Sequence, residues 1–230
     1  MSQDIINTAI LATSFLSLFA LAELLYHKLK VQVELTRKLV HFGTGIITLL
    51  FPLMLGNHWL VLFLCGSFAL ILLISLKFNL LKSINAIDRK SHGSILYPVA
   101  VYGCYLVYNY YINKFGKTPE LYIYFYLPIL TLAICDPIAA LFGKRFPYGK
   151  FTIGKDTKTI VGTSAFFISS LVLSMAMLFY FKKYSSNPGN FFLVSLIIGV
   201  SGSVIEAVSG KGSDNITIPA CVMTVLILFL

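Results

Sequence analysis

Continuous apolar stretches, each close to the length of a membrane-spanning helix, dominate this chain, and few architectures can hold them. A helix rising 1.5 Å per residue crosses a hydrocarbon core of about 30 Å in about 20 residues. Eight stretches can be drawn, near residues 5–26, 39–55, 59–76, 94–112, 121–142, 160–181, 191–209 and 216–230. The second and the last are short, so tilted, re-entrant or partly inserted forms stay open for them. Composition agrees, with 57% hydrophobic and 12% charged residues and a mean hydropathy of +0.84. That profile excludes an ordinary soluble domain, and runs that are continuous rather than alternating exclude a β-barrel. The expected fold is all-α: a polytopic transmembrane helix bundle of about 7–8 spans. With no internal repeat and no long linker, residues 1–230 read as a single integral-membrane domain. The first stretch lacks a basic leader and is long enough to span, so it is expected to be a span rather than a signal peptide. Cys65, Cys104, Cys135 and Cys221 fall in apolar segments without CxxC spacing, as packing residues would.

The charges orient the bundle. Of 18 basic residues, 14 fall in the connections after the first, third, fifth and seventh stretches; Lys114, Lys117, Lys182 and Lys183 are the other four. The positive-inside rule then predicts a multi-pass protein with both termini outside and the basic loops in the cytoplasm. Topology thus accounts for most of the net charge of +9, and no nucleic-acid partner is expected.

Two acids interrupt the apolar pattern. Asp136 lies in the fifth stretch and Glu206 in the seventh. A charge in hydrocarbon costs about 2.5–3.5 kcal/mol on insertion scales, so each is a functional candidate. Asp136, Ala139, Ala140 and Gly143 share one helical face, as do Gly199, Gly202, Ser203 and Glu206, so each acid looks along small residues that permit close helix approach. Pro137 removes a backbone donor beside Asp136 and predicts a bend. After Gly210 and Gly212 comes Asp214-Asn215. Asp136, Glu206 and Asp214 together suit a hard cation such as Mg²⁺, which takes one or two carboxylates plus phosphate. Glu23, in the first stretch, has no basic loop beside it and is expected to pair with a neighbouring helix.

Basic residues accompany the acids on the same side. Lys144, Arg145, Lys150, Lys155 and Lys158 follow Asp136 among Gly143, Gly149, Gly154 and Gly162. Glycines let backbone N–H groups approach an oxyanion while the bases neutralise it. The alternative is a topology-setting loop below a helix-packing acid. Arg37, Lys38 and His41 are spaced to converge on one anion, or else to snorkel from a helix end. Arg89 lies in Asp88-Arg89-Lys90-Ser91-His92-Gly93-Ser94, which offers an acid and several donors before a helix and, taken alone, reads first as a polar loop whose Ser91 or Ser94 caps that helix. No Walker or GxGxxG pattern occurs.

Taken in order, these blocks resemble the membrane-embedded CTP-dependent lipid kinases. That family includes dolichol kinase, phytol kinase and yeast-type diacylglycerol kinase, and is distantly similar to phosphatidate cytidylyltransferases. The carrying residues are Arg37-Lys38-Leu39-Val40-His41; Gly93-Ser94 with Tyr97-Pro98; Asp136-Pro137-Ile138-Ala139-Ala140 leading into Gly143-Lys144-Arg145-Phe146; Lys158-Thr159-Ile160-Val161-Gly162-Thr163; and Glu206 with Asp214-Asn215-Ile216-Thr217-Ile218-Pro219. The phytol kinase branch is the most similar. Two features depart from its pattern: Cys135 and Pro137 flank Asp136 where glycines are usual, and Ser213-Asp214 stands where two adjacent acids often occur.

The resemblance implies phosphoryl transfer from CTP to the hydroxyl of a long isoprenoid or lipid alcohol at the cytoplasmic face. On this reading Asp136 and Asp214 hold Mg²⁺, and Glu206 joins them or helps deprotonate the alcohol. Lys144, Arg145, Lys150, Lys155 and Lys158, with Thr159 and Asn215, bind the nucleotide, and Arg37, Lys38, His41 and Arg89 complete an anion pocket. Two rivals stand beside it: cytidylyl transfer to phosphatidate, and an ion-coupled transporter using the buried acids.

Overall fold

The computed structural model describes residues 2–86, 93–153, 156–182, 189–210 and 212–230. The chain opens with α1 (Ser2–His27) and turns through Lys30, at φ 54°, into α2 (Val33–Thr48). Pro52 opens the short α3 (Phe51–Met54). The Asn57 side chain then accepts the Trp59 N–H at 2.9 Å, which starts α4 (His58–Lys77). The short α5 (Lys82–Asn85) and α6 (Gly93–Phe115) follow.

Next comes a continuous helical rod: a 3₁₀ turn (Pro119–Tyr122), α7 (Ile123–Leu130), a π-turn (Thr131–Cys135) and α8 (Asp136–Arg145). A hairpin of β1 (Lys150–Ile153) and β2 (Asp156–Thr159) leads to α9 (Ile160–Lys182), α10 (Gly189–Val208) and α11 (Asp214–Phe229). Among the described residues, five helical segments are long and apolar enough to cross a membrane: Gln3–His27, His58–Lys77, Pro119–Arg145, Ile160–Phe181 and Asn190–Val208. The helical class is therefore as expected. The second stretch is shifted, because its helix begins at Val33 and so carries Glu34, Arg37 and Lys38 in its first turns.

The rod from Pro119 to Arg145 is the centre of the bundle. In its most apolar window 61% of the residues are buried, against 22% in α1 and α9. Ile123, Phe125, Leu127, Ile129, Leu132 and Cys135 are completely buried. Around it α9 packs on α8 and α10, α11 packs on α10 and α6, α4 on α6, and α2 on α1. The outer faces carry exposed Phe63, Ile168, Val172 and Phe179. Water would penalise such surfaces at about 25 cal/mol per Å², whereas hydrocarbon accepts them, so the helices fit a membrane protein.

Three local features depart from a plain helix bundle. The glycine-rich segment after α8 is an antiparallel hairpin, pairing Lys150 with Thr159, Phe151 with Lys158, Thr152 with Thr157 and Ile153 with Asp156. Lys158 accordingly sits on a strand, two residues ahead of α9, rather than on a helix end. The bend expected at Pro137 takes the form of the π-turn just before Asp136, and α8 restarts with that proline in its first turn, where its fixed φ suits a helix. Glu23 accepts the Ser83 N–H at 2.8 Å, and so ties α1 to α5 as a helix-pairing acid would.

Candidate active site

The π-turn prepares the first half of the site. In the π register the N–H that would reach the Leu132 carbonyl belongs to Pro137, which has none, and this leaves that oxygen to a partner outside its helix. His41 of α2 is that partner, with Nε2 at 2.9 Å from the Leu132 oxygen. A carbonyl only accepts, so Nε2 carries the hydrogen. The same nitrogen lies 3.8 Å from Asp136 Oδ2, and Lys38 Nζ lies 2.7 Å from that oxygen. Tyr97 of α6 packs edge-on against the imidazole, centroids 4.9 Å apart, and its hydroxyl donates to the His41 carbonyl at 3.4 Å. Gly45 allows this crossing, since a Cβ there would overlap the Cβ of Ala133.

The second half is built from the hairpin and α10. Lys158, projecting from β2, forms an ion pair with Glu206, and Thr163 Oγ1 donates to the other carboxylate oxygen at 3.4 Å. Thr159 ends the strand and caps the next helix, its Oγ1 accepting the Gly162 N–H at 3.0 Å. Gly162 in turn faces Gly143. A Cβ on Gly162 would lie 3.0 Å from the Ala139 carbonyl and 3.4 Å from Gly143 Cα. This contact holds α8, which carries Asp136, close to α9, whose Thr163 meets Glu206 of α10.

Asp214, the first residue of α11, links the halves. The charges of Asp136, Lys158 and Lys38 all act on it, and Lys158 also acts on Asp136. Its Oδ1 accepts the N–H of Asn215, a buried residue. Lys38, His41, Asp136, Lys158, Glu206, Asp214 and Asn215 line one cavity of about 1420 Å³, with Lys144, Arg145 and Lys150 at its exposed rim. Those three rim bases have no acidic partner among the described residues.

The arrangement departs from the sequence expectation in several places. Arg37 lines the same cavity, but its guanidinium is paired with Glu34 of its own helix by bonds of 2.8 and 3.2 Å, as the i,i+3 spacing allows. Lys38 and Lys158 hold the two buried carboxylates rather than standing free. Among the described residues no three His, Cys, Asp or Glu side chains gather as a ready-made metal cluster, so Asp136, Asp214 and Glu206 do not form a closed cage. Asp136 and Asp214 within one cavity nevertheless fit Mg²⁺ delivered with a nucleotide, since that ion retains waters and phosphate oxygens among its ligands. Arg89 and Lys155 lie outside the described residues. Sequence reasoning missed Thr163 and the Leu132 carbonyl as partners. Thr163 is one turn beyond Thr159, a spacing that offered a signal; the carbonyl offered only the proline five residues later.

Comparison with known proteins gives one informative match. The chain is 27% identical over 211 residues to a protein named phytol kinase from Synechocystis sp., covering 91% of this chain and 85% of that protein. No family model matches it. No solved structure matches it either.

Proposed function

We propose that this protein is a kinase of lipid alcohols, transferring the terminal phosphoryl group of CTP to the hydroxyl of an isoprenoid alcohol. In this reading it crosses the membrane seven or eight times, with the site on the cytoplasmic side. One observation carries the proposal: two buried carboxylates, each held by a lysine, lie in one cavity with an unpaired basic rim at one end and apolar walls at the other. Near-full-length similarity to a protein named phytol kinase supports the alcohol as acceptor.

Phosphoryl transfer needs in-line positioning and charge neutralisation more than covalent chemistry by the protein. Lys144, Arg145 and Lys150 draw in the triphosphate. Lys38 and Lys158 exchange their carboxylate partners for phosphate oxygens, to which an ammonium binds as a point charge. Asp136 and Asp214 are then the residues that would hold Mg²⁺, which when bound with the nucleotide supplies charge neutralisation on the phosphates. Glu206, released by Lys158, takes the proton of the alcohol while the alcohol oxygen bonds to the γ-phosphorus and the bond to the CDP oxygen breaks. His41 keeps its hydrogen on the Leu132 carbonyl and positions α2 against the rod.

The test is product analysis in detergent, where no gradient can drive transport. Protein incubated with γ-labelled CTP and a panel of isoprenoid alcohols should yield labelled lipid phosphate and CDP. Pyrophosphate with a CDP-lipid would establish cytidylyl transfer instead. Absence of any nucleotide turnover would remove both enzymatic readings.

A further inference from the structure

The cavity extends well beyond the charged groups that the phosphoryl-transfer reading uses. Along α2 its wall passes from Lys38 and His41 through Thr44 to Thr48, all on one face and spanning about 15 Å of helix rise. The opposite walls come from α1, α3, α4 and α6, which contribute no charged side chain to it. Leu64 of α4 and Val101 of α6, both buried, line this arm. Its far end meets three rings: Phe15 stands 4.9 Å from Phe68 and 6.0 Å from Phe51, the latter 1% exposed at the start of α3.

A void of this kind is disfavoured unless filled, because its lining atoms lose contacts and apolar walls do not retain water. From these features we infer that the arm is a blind binding site for one isoprenoid tail and sets the chain length of the alcohol. The inference rests on the kinase reading for the identity of the head group. The polar end fixes the hydroxyl beside Glu206 and Asp136, so tail length is measured from that point to the rings. An alcohol of a few isoprene units matches the length of this arm along α2. A dolichol-length chain has nowhere to continue past Phe51. The run of lining residues along one face of α2 favours a single tail over a diacyl lipid.

Two variants and two readouts test this. Thr44→Phe narrows the arm midway without removing any core side chain, whereas Phe51→Ala opens its floor. Turnover is measured on geraniol, farnesol, geranylgeraniol, phytol and a long polyprenol. Thr44→Phe should lower the geranylgeraniol-to-geraniol ratio by at least about tenfold, the scale on which one misfitted group is discriminated in an apolar pocket. Phe51→Ala should raise the polyprenol-to-phytol ratio. Independently of turnover, a geranylgeraniol analogue with a diazirine at its tail should crosslink to α1, α3 or α4 in the full-length protein. An unchanged length profile in folded Thr44→Phe, or tail crosslinks only on outer faces, overturns the inference even if alcohols are phosphorylated. Crosslinks inside the arm without phosphorylation of any alcohol would sustain the tail site and overturn the kinase reading alone. If Phe51→Ala does not fold, Thr44→Phe and the crosslink decide the matter.

Discussion

Asp136 and Glu206 are tolerable inside an apolar bundle because each meets a lysine from a distant segment, 98 and 48 residues away respectively. Removing one member of a buried pair costs roughly 3–5 kcal/mol, since the survivor is left as an uncompensated charge. Lys158→Gln should therefore lower stability in a denaturant titration, and the double variant Lys158→Gln with Glu206→Gln should recover most of it. Recovery of stability without recovery of CTP turnover would separate the catalytic use of these groups from their packing. Asp136→Asn keeps volume and removes charge, and should reduce turnover at least about 100-fold, or roughly 2.7 kcal/mol, with the fold retained by circular dichroism. Near-normal turnover by that variant rules out its role. Both acids, Lys38 and Lys158 were legible as candidates in the sequence. Their pairing was not, because charge type does not specify which distant partner the packing will bring within 3 Å. Arg37 shows the converse: its partner Glu34 was three residues away, within the reach that helix geometry dictates.

At the level of elements, the small-residue face was readable and the hairpin was not. Asp136, Ala139, Ala140 and Gly143 were spaced for close approach, and Gly143 does meet Gly162 across α8 and α9. Gly162→Val should force those helices apart at a typical overpacking cost of about 1–3 kcal/mol, seen as a lowered melting temperature, with a larger fractional loss of turnover because α8, which carries Asp136, is displaced from α9 beside the site. A melting temperature equal to that of the parent would mean the contact carries no strain. The hairpin escaped notice because its basic and glycine content suggested a loop, although Thr152, Ile153, Thr157 and Thr159 supplied the β-branched signal. The bend at Pro137 was foreseen, but not the π-turn that precedes it.

On the scale of the molecule, the continuous apolar stretches overlap the five long apolar helical segments among the described residues, with the second stretch shifted onto a helix that begins at Val33. The number that cross the bilayer depends on where hydrocarbon ends. Accessibility decides it. In a background without the native cysteines, Cys placed at the exposed positions of Lys150 and Lys114 should be labelled from opposite sides of the membrane. Labelling of both from one side would cancel the proposed orientation and the shared cytoplasmic site with it. The rings of Phe15, Phe51 and Phe68 have a further consequence for how such a protein works in a membrane. A tail that enters an arm closed at its far end cannot thread through; it must retreat along the path by which it came. If the kinase and tail-site proposals hold, phosphorylated product would withdraw head first past the basic rim that its own charge attracts, and the next alcohol would wait behind it. Accumulating product would hold the entrance against fresh substrate, and the rate of synthesis would throttle itself without any separate regulatory site.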